Sequence, residues 1–145
     1  MRRKLFFAIL FLTLSIFLSG CSGVTTPSIN LTGNWTMTNA STSGITTSKC
    51  NIVDNSGSLT IYNFYIVGQE YINWNTGYGT FNDSTLTANI SGSYLNISGS
   101  TVSTIVYFEG TINASGISGS GTWIQTFSVY GDIQSASGTT IFIKG

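Results

Sequence analysis

Five carboxylates, two lysines and one cysteine make up the reactive side chains of residues 22–145: Asp54, Glu70, Asp83, Glu109 and Asp132, with Lys49, Lys144 and Cys50. The chain has no His, so acid–base work would fall to these groups alone. Glu70 and Glu109 would make a glycosidase-like pair if folding brought them together. Their surroundings read more simply as solvated strand or turn segments. Scattered carboxylates without imidazole are a poor set of metal ligands. Gly116-Ile117-Ser118-Gly119-Ser120-Gly121 lacks the Lys and the following helix of a phosphate loop. In a strand-rich chain such glycines mark a turn and a closely packed strand. The residue types therefore predict a non-catalytic protein with no cofactor and no metal site.

Cys50 lies in a strand-like stretch, residues 45–54. A reactive thiol needs an electropositive neighbourhood, and Lys49, its neighbour in sequence, points to the opposite face of a strand. Cys50 is read as a small buried hydrophobe.

Cys21 has a different setting. Arg2, Arg3 and Lys4 precede an apolar run of 14 residues, 5–18, interrupted only by Thr13 and Ser15. As a helix this run would span about 21 Å, well short of a hydrocarbon core of ~30 Å, so it predicts an export signal and not a permanent membrane helix. Leu18-Ser19-Gly20-Cys21 closes the run and resembles the lipobox of bacterial lipoproteins. The resemblance implies cleavage before Cys21 and attachment of acyl chains, palmitate among them, to that residue. Membrane lipid is then the first partner, since two or more chains make a stable anchor. Ser22, where an Asp would signal inner-membrane retention, implies an outer-membrane destination if the organism has one, and otherwise the outer face of the cell membrane. The predicted organisation is a signal peptide at 1–20, a lipidated tether at 21–30 and a single β domain at 31–145.

Without residues 1–20 the chain keeps two lysines against five carboxylates, a side-chain balance of −3. Such a surface cannot neutralise a phosphate backbone, which excludes nucleic acid as a partner. Polarity comes instead from Ser, Thr, Asn and Gly. Trp35, Trp74 and Trp123, with seven Tyr and nine Phe in the whole chain, supply bulk that disordered chains lack.

The elements that must position these residues are strands. No stretch beyond residue 30 has helical periodicity. β-Branched and aromatic runs recur between Gly, Ser, Asn and Asp clusters, giving strands at 31–38, 45–54, 58–67, 70–75, 77–82, 85–91, 94–98, 102–113, 116–127 and 139–144, some of them halves of longer ones. Leu86, Ala88 and Ile90 alternate with Thr87, Asn89 and Ser91, the signature of strands with one wet face. Residues 59–67 differ, with apolar side chains on both faces. The pattern predicts an all-β domain, a small antiparallel meander barrel of about eight strands, with a β-sandwich as the alternative.

Gly33-Asn34-Trp35 on the opening strand and Thr139-Thr140-Ile141-Phe142-Ile143-Lys144 at the close resemble lipocalins and other calycin-type barrels. The resemblance implies that Gly33 and Trp35 pack across one end of the barrel. The Arg that lipocalins place over the Trp has no counterpart in residues 21–145, where Lys144 stands nearest. A candidate contact surface lies at residues 65–78, with Tyr65, Tyr71, Trp74 and Tyr78 around Gly68 and Gly77. Clustered Tyr, Trp, Asn and Gly suit contact with sugars or proteins. Two functions follow: a filled β domain acting as a structural or protein-interaction module at the envelope, with an envelope protein or glycan as partner, or a lipocalin-like carrier of a small apolar or amphipathic ligand. Interior side chains closed by Trp and Phe favour the first, small ones the second.

Overall fold

The computed structural model describes residues 28–145. The expected signal peptide, the expected lipobox residues Leu18, Ser19, Gly20 and Cys21, and most of the expected tether lie outside the described residues.

Nine strands follow one another: β1 (Gly33–Ser41), β2 (Gly44–Asn55), β3 (Ser58–Ile66), β4 (Asn73–Trp74), β5 (Gly77–Asn82), β6 (Thr85–Leu95), β7 (Thr101–Ile112), β8 (Ser118–Val129) and β9 (Asp132–Lys144). Every pairing is antiparallel, and β1 pairs with both β2 and β9. The meander β1-β2-β3-β5-β6-β7-β8-β9 thus closes on itself as an eight-stranded barrel. β4 is the extra strand. It pairs with Gly92 and Ser93 of β6, end on end with β5, which takes residues 85–89. Closure rules out the sandwich alternative, because no edge separates two sheets.

Alternation decides which side chains fill the barrel. Trp35, Met37 and Asn39 of β1 face inward, as do Ile52 and Cys50 of β2, Leu86, Ala88 and Ile90 of β6, and Val106, Phe108 and Ile112 of β7. Phe108 stands edge-on to both Phe64 and Phe142, with centroids 6.0 and 6.2 Å away. Eight strands enclose a space that side chains can fill, and here they do. The void left at the centre is about 20 Å³, lined by apolar side chains such as Trp35, Phe108 and Phe142. That is room for roughly one water and nothing larger, with no polar partner to hold it.

The two ends are closed differently. At the end where the chain enters, Leu31 is fully buried and its N–H donates to Asp54 Oδ2 at 3.0 Å. The indole N–H of Trp35 donates to the Leu31 carbonyl at 2.7 Å. Asp54 Oδ1 accepts the Gly57 N–H at 2.8 Å. At the other end a polar layer lies over the apolar core. Thr140 Oγ1 donates to Asn39 Oδ1 at 2.8 Å, and Asn39 Nδ2 donates to Ser48 Oγ at 2.6 Å. Gln125 Nε2 donates to Gln69 Oε1 at 2.9 Å, tying the loop after β3 across the mouth. Buried polar groups satisfied in this way close the ends without the cost of orphaned donors.

Several expected strand boundaries move. Residues 70–75 contribute only the two-residue β4, after a turn in which Gln69 N–H donates to the Ile66 carbonyl. The expected 94–98 strand is the end of β6 and a turn held by Asn96, whose Oδ1 accepts the N–H groups of Ser98 and Ser100. The expected 139–144 strand is the last part of a 13-residue β9. Its start was concealed because residues 132–135 are exposed on both faces. They are held by pairing with β8 around a two-residue turn, Tyr130-Gly131, both at positive φ, the backbone of a type I′ hairpin.

Candidate functional site

Between β3 and β5 the regular pairing of the barrel is interrupted. β3 pairs with β5 through Ser58 to Ile61, and Ile61 opposite Gly77 is the last pair. Beyond it β3 continues to Ile66 while the chain on the other side runs through β4. A β-bulge sits at the same level of β3. Lys49 is opposite Tyr65 and Asn51 is opposite Tyr62, so Asn63 and Phe64 together stand opposite Cys50. Asn63 has φ 51°, a left-handed conformation that Asn tolerates better than most residues. Its Nδ2 donates to Asn51 Oδ1 at 3.0 Å.

The bulge shifts the alternation of β3 by one residue. Leu59 and Ile61 face inward before it, Phe64 and Ile66 after it. Tyr62 and Tyr65 would fall on opposite faces of a regular strand. With the extra residue between them both are exposed, at 44% and 39%. This accounts for the apolar residues on both faces of 59–67: the segment is one strand with a phase change, not a strand covered on two sides. Bulges re-aim side chains in this way next to binding sites.

The result is a groove of about 420 Å³ between β3 and β4. Tyr62, Asn63 and Tyr65 line it from β3, Trp74 and Asn75 from β4 and the residue after it, and Glu70 from the connecting loop. Phe64 and Trp74 fill its base, edge-on to each other. Trp74 is partly buried against the core, and its indole N–H has no protein acceptor. Asn75 is anchored to β6, its backbone N–H donating to the Ser91 carbonyl at 2.8 Å and its Nδ2 to Ser91 Oγ at 3.1 Å. Glu70 Oε1 accepts the Gly68 N–H at 2.8 Å. That bond, followed by one from its own N–H, holds the carboxyl below its ordinary range. Glu70 is therefore ionised at neutral pH, an acceptor and a weak base.

Of the four expected contact residues the structure brings two together. Tyr65 and Trp74 line the groove. Tyr71 lies in the loop, edge-on to Tyr94 at 4.9 Å. Tyr78 is exposed on the outside of β5, opposite Thr60 and Asn89. Sequence reasoning did not reach Tyr62, Asn63 and Asn75. The signal for the first two was the broken alternation of residues 61–66.

The remaining candidates are dispersed. Glu109 is on the outside of β7, paired with Thr87 and Thr122, where its Oε2 accepts the Tyr107 hydroxyl at 3.1 Å. Desolvation, then that bond and the nearby charge, raise the Tyr107 phenol. Glu70 and Glu109 do not form a pair. Cys50 is buried, and desolvation pushes its thiol up to about 12. Trp35 is buried at the chain-entry end, in register with Lys144 of β9. A Cβ on Gly33 would lie 2.7 Å from Lys144 Cε, and Lys144 Nζ donates to the Asn30 carbonyl at 3.1 Å. Among the described residues no three His, Cys, Asp or Glu side chains cluster as a metal site would require.

Comparison of the chain with protein-family models, with curated proteins and with solved structures finds no match.

Proposed function

We propose that this protein is an exported, lipid-anchored envelope protein whose β domain is a non-catalytic interaction module that uses its outer surface. The observation that carries the second half of this reading is the filled interior. Carriers of small apolar ligands need a cavity of several hundred Å³, about 300–1,000 Å³ for drug-sized molecules. The central void here is about 20 Å³, and both ends are closed by hydrogen-bonded caps. The lipocalin-like carrier reading would require Trp35, Phe108 and Phe142 to leave a packed core, which weighs against it. The groove beside β3 is a concave surface at which several aromatic and polar side chains converge, and it is open to solvent.

The anchor half rests on the resemblance of Leu18-Ser19-Gly20-Cys21 to a lipobox. The geometry is compatible with it, because Leu31 enters the barrel at the end opposite the β3–β4 groove loop and the β8–β9 turn. Native mass spectrometry of the protein purified from its host tests the filled-module reading. A lipidated mass with no further adduct, and no uptake of an added fluorescent fatty acid, is the expected result. An adduct released by organic solvent, or saturable uptake of the probe, would restore the carrier.

A further inference from the structure

We infer that the β3–β4 groove binds a neutral saccharide segment, with the faces of Tyr62 and Tyr65 as platforms for pyranose rings and Asn63, Asn75 and Glu70 as partners for its hydroxyl groups. The inference rests on the interaction-module reading and gives it a ligand class.

Four observations converge on this chemistry. First, the two tyrosines share the outer side only because of the bulge at Asn63. Their exposed rings offer a negative face to the weakly positive C–H bonds of a sugar ring. Rings standing in solvent on strands, with few torsions to immobilise, make contacts at low entropic cost.

Second, the polar groups are of the kind that read hydroxyls. Asn63 and Asn75 each use the side-chain N–H₂ in a bond to a neighbouring strand, Asn63 to Asn51 and Asn75 to Ser91. Those bonds fix the amide planes, and among the described residues neither Oδ1 accepts a side-chain bond. Each is a pre-oriented acceptor, Asn63 on β3 and Asn75 directly after β4. Glu70 adds a charged acceptor, fixed by the Gly68 N–H. Bonds to an ionised partner are roughly twice as strong as neutral ones.

Third, charge selects against acidic polymers. Glu70 is the one acidic group lining the groove, and no Lys or Arg lines it. Lys49 stands one strand away, opposite Tyr65. A uronic acid, sialic acid or phosphorylated glycan would meet a carboxylate without a fork of cations to hold it.

Fourth, the volume is right. About 420 Å³ lies at the lower end of the usual range for small-molecule sites, ~300–1,000 Å³, and the groove is open rather than enclosed. A polymer can therefore lie across it with one or two units in contact.

The test uses the full-length protein in mild detergent, titrated by calorimetry with N-acetylglucosamine tetramer, cellotetraose and maltotetraose. A polygalacturonate tetramer serves as the acidic control. Saturable binding of at least one neutral tetramer at sub-millimolar to millimolar concentration is expected, and none of the acidic one. Tyr62→Ala and Tyr65→Ala each weaken it by roughly tenfold, a loss near 1.4 kcal/mol. Tyr78→Ala, altered on the outside of β5, leaves it unchanged. All three side chains are exposed, so their melting temperatures confirm folding. No saturable binding of any neutral tetramer up to ~10 mM, or binding indifferent to Tyr62 and Tyr65, overturns the inference. Saturable uptake of a fluorescent fatty acid by the protein, beyond what the detergent alone takes up, overturns the module reading instead, so the two failures are told apart. Absence of both sugar and fatty-acid binding removes the saccharide and leaves a module with another kind of partner.

Discussion

Phe64 and Trp74 meet edge to face, with ring centroids 4.8 Å apart and planes at 88°, across the gap where β3 and β4 part. The geometry is the one aromatic quadrupoles favour. It packs the barrel wall at a level where β3 and β4 are not paired. Phe64→Ala is therefore expected to lower the unfolding free energy by ~3–5 kcal/mol, read from urea denaturation. Phe64→Leu should cost much less, because most of the volume is kept. Trp74 carries part of the same packing, so its replacement by Ala reports on stability before it reports on binding.

Asp54 clasps the entering chain. Its carboxylate accepts one bond from buried Leu31 and another from Gly57. Asp54→Ala leaves both donors without that partner and should cost roughly 2–4 kcal/mol. Asp54→Asn keeps an oxygen for one of them and should cost less. Hydrogen exchange at the Leu31 amide distinguishes a loosened end from global unfolding: in Asp54→Ala it should accelerate more than exchange at Phe108.

Cys50 gives an alkaline signature. A thiol raised from 9.0 to about 12 by burial keeps its proton in the folded state after the unfolded state has lost it. The unfolded state then binds fewer protons, so stability falls as pH rises from about 9 towards 12 and is unaffected by this group below that window. Subtracting the profile of Cys50→Ala from that of the parent isolates the effect. At neutral pH the folded protein should not react with an aromatic disulfide reagent, and urea should expose one equivalent of thiol from Cys50.

Glu70 gives the opposite sign. Its carboxyl is lowered by the Gly68 N–H and its own, so whatever it contributes is present above the ordinary carboxylate range and lost as pH falls through its lower folded value. The group is fully exposed, and the readout is local. Carboxyl NMR should place the Glu70 midpoint below 4.5, with the Gly68 amide shift titrating alongside it. Glu70→Gln should abolish that pH dependence of Gly68 without changing the melting temperature appreciably.

The anchor has a direct test. Cys21→Ser is expected to move the protein out of the membrane fraction and to remove the acyl mass. A variant that stays membrane-bound and acylated would end the lipobox reading.

Much of the barrel was legible because its interior follows period two. Leu86, Ala88 and Ile90 announced β6, and the β-rich composition with its turn clusters announced a closed meander. The groove was less legible. A bulge is a relation between two strands, and nothing local to 62–65 says that Cys50 will face two residues instead of one. The sequence showed only that the alternation failed there. The β8–β9 hairpin was hidden for a different reason. Residues 132–135 bury neither face, so pairing alone, set by Tyr130-Gly131, makes them a strand. Tyr65, Tyr71, Trp74 and Tyr78 were near in sequence, but loop and strand geometry separated them into a groove pair, a pair with Tyr94, and an outlying residue.

Closure of the barrel by β1 and β9 has a consequence for biogenesis. Trp35 pairs with Lys144 and Ala40 with Thr139, contacts that span nearly the whole domain. Such non-local pairing is slow to form, because loop-closure entropy is lost before the contacts are gained. A chain threaded outward from its first residue cannot seal the ring until its last strand has crossed. Until then β1 exposes a bare edge beside Trp35, and the half-made sheet is open to capture. On the proposed export route, the chain should therefore depend on a holding chaperone that releases it only when β9 has arrived.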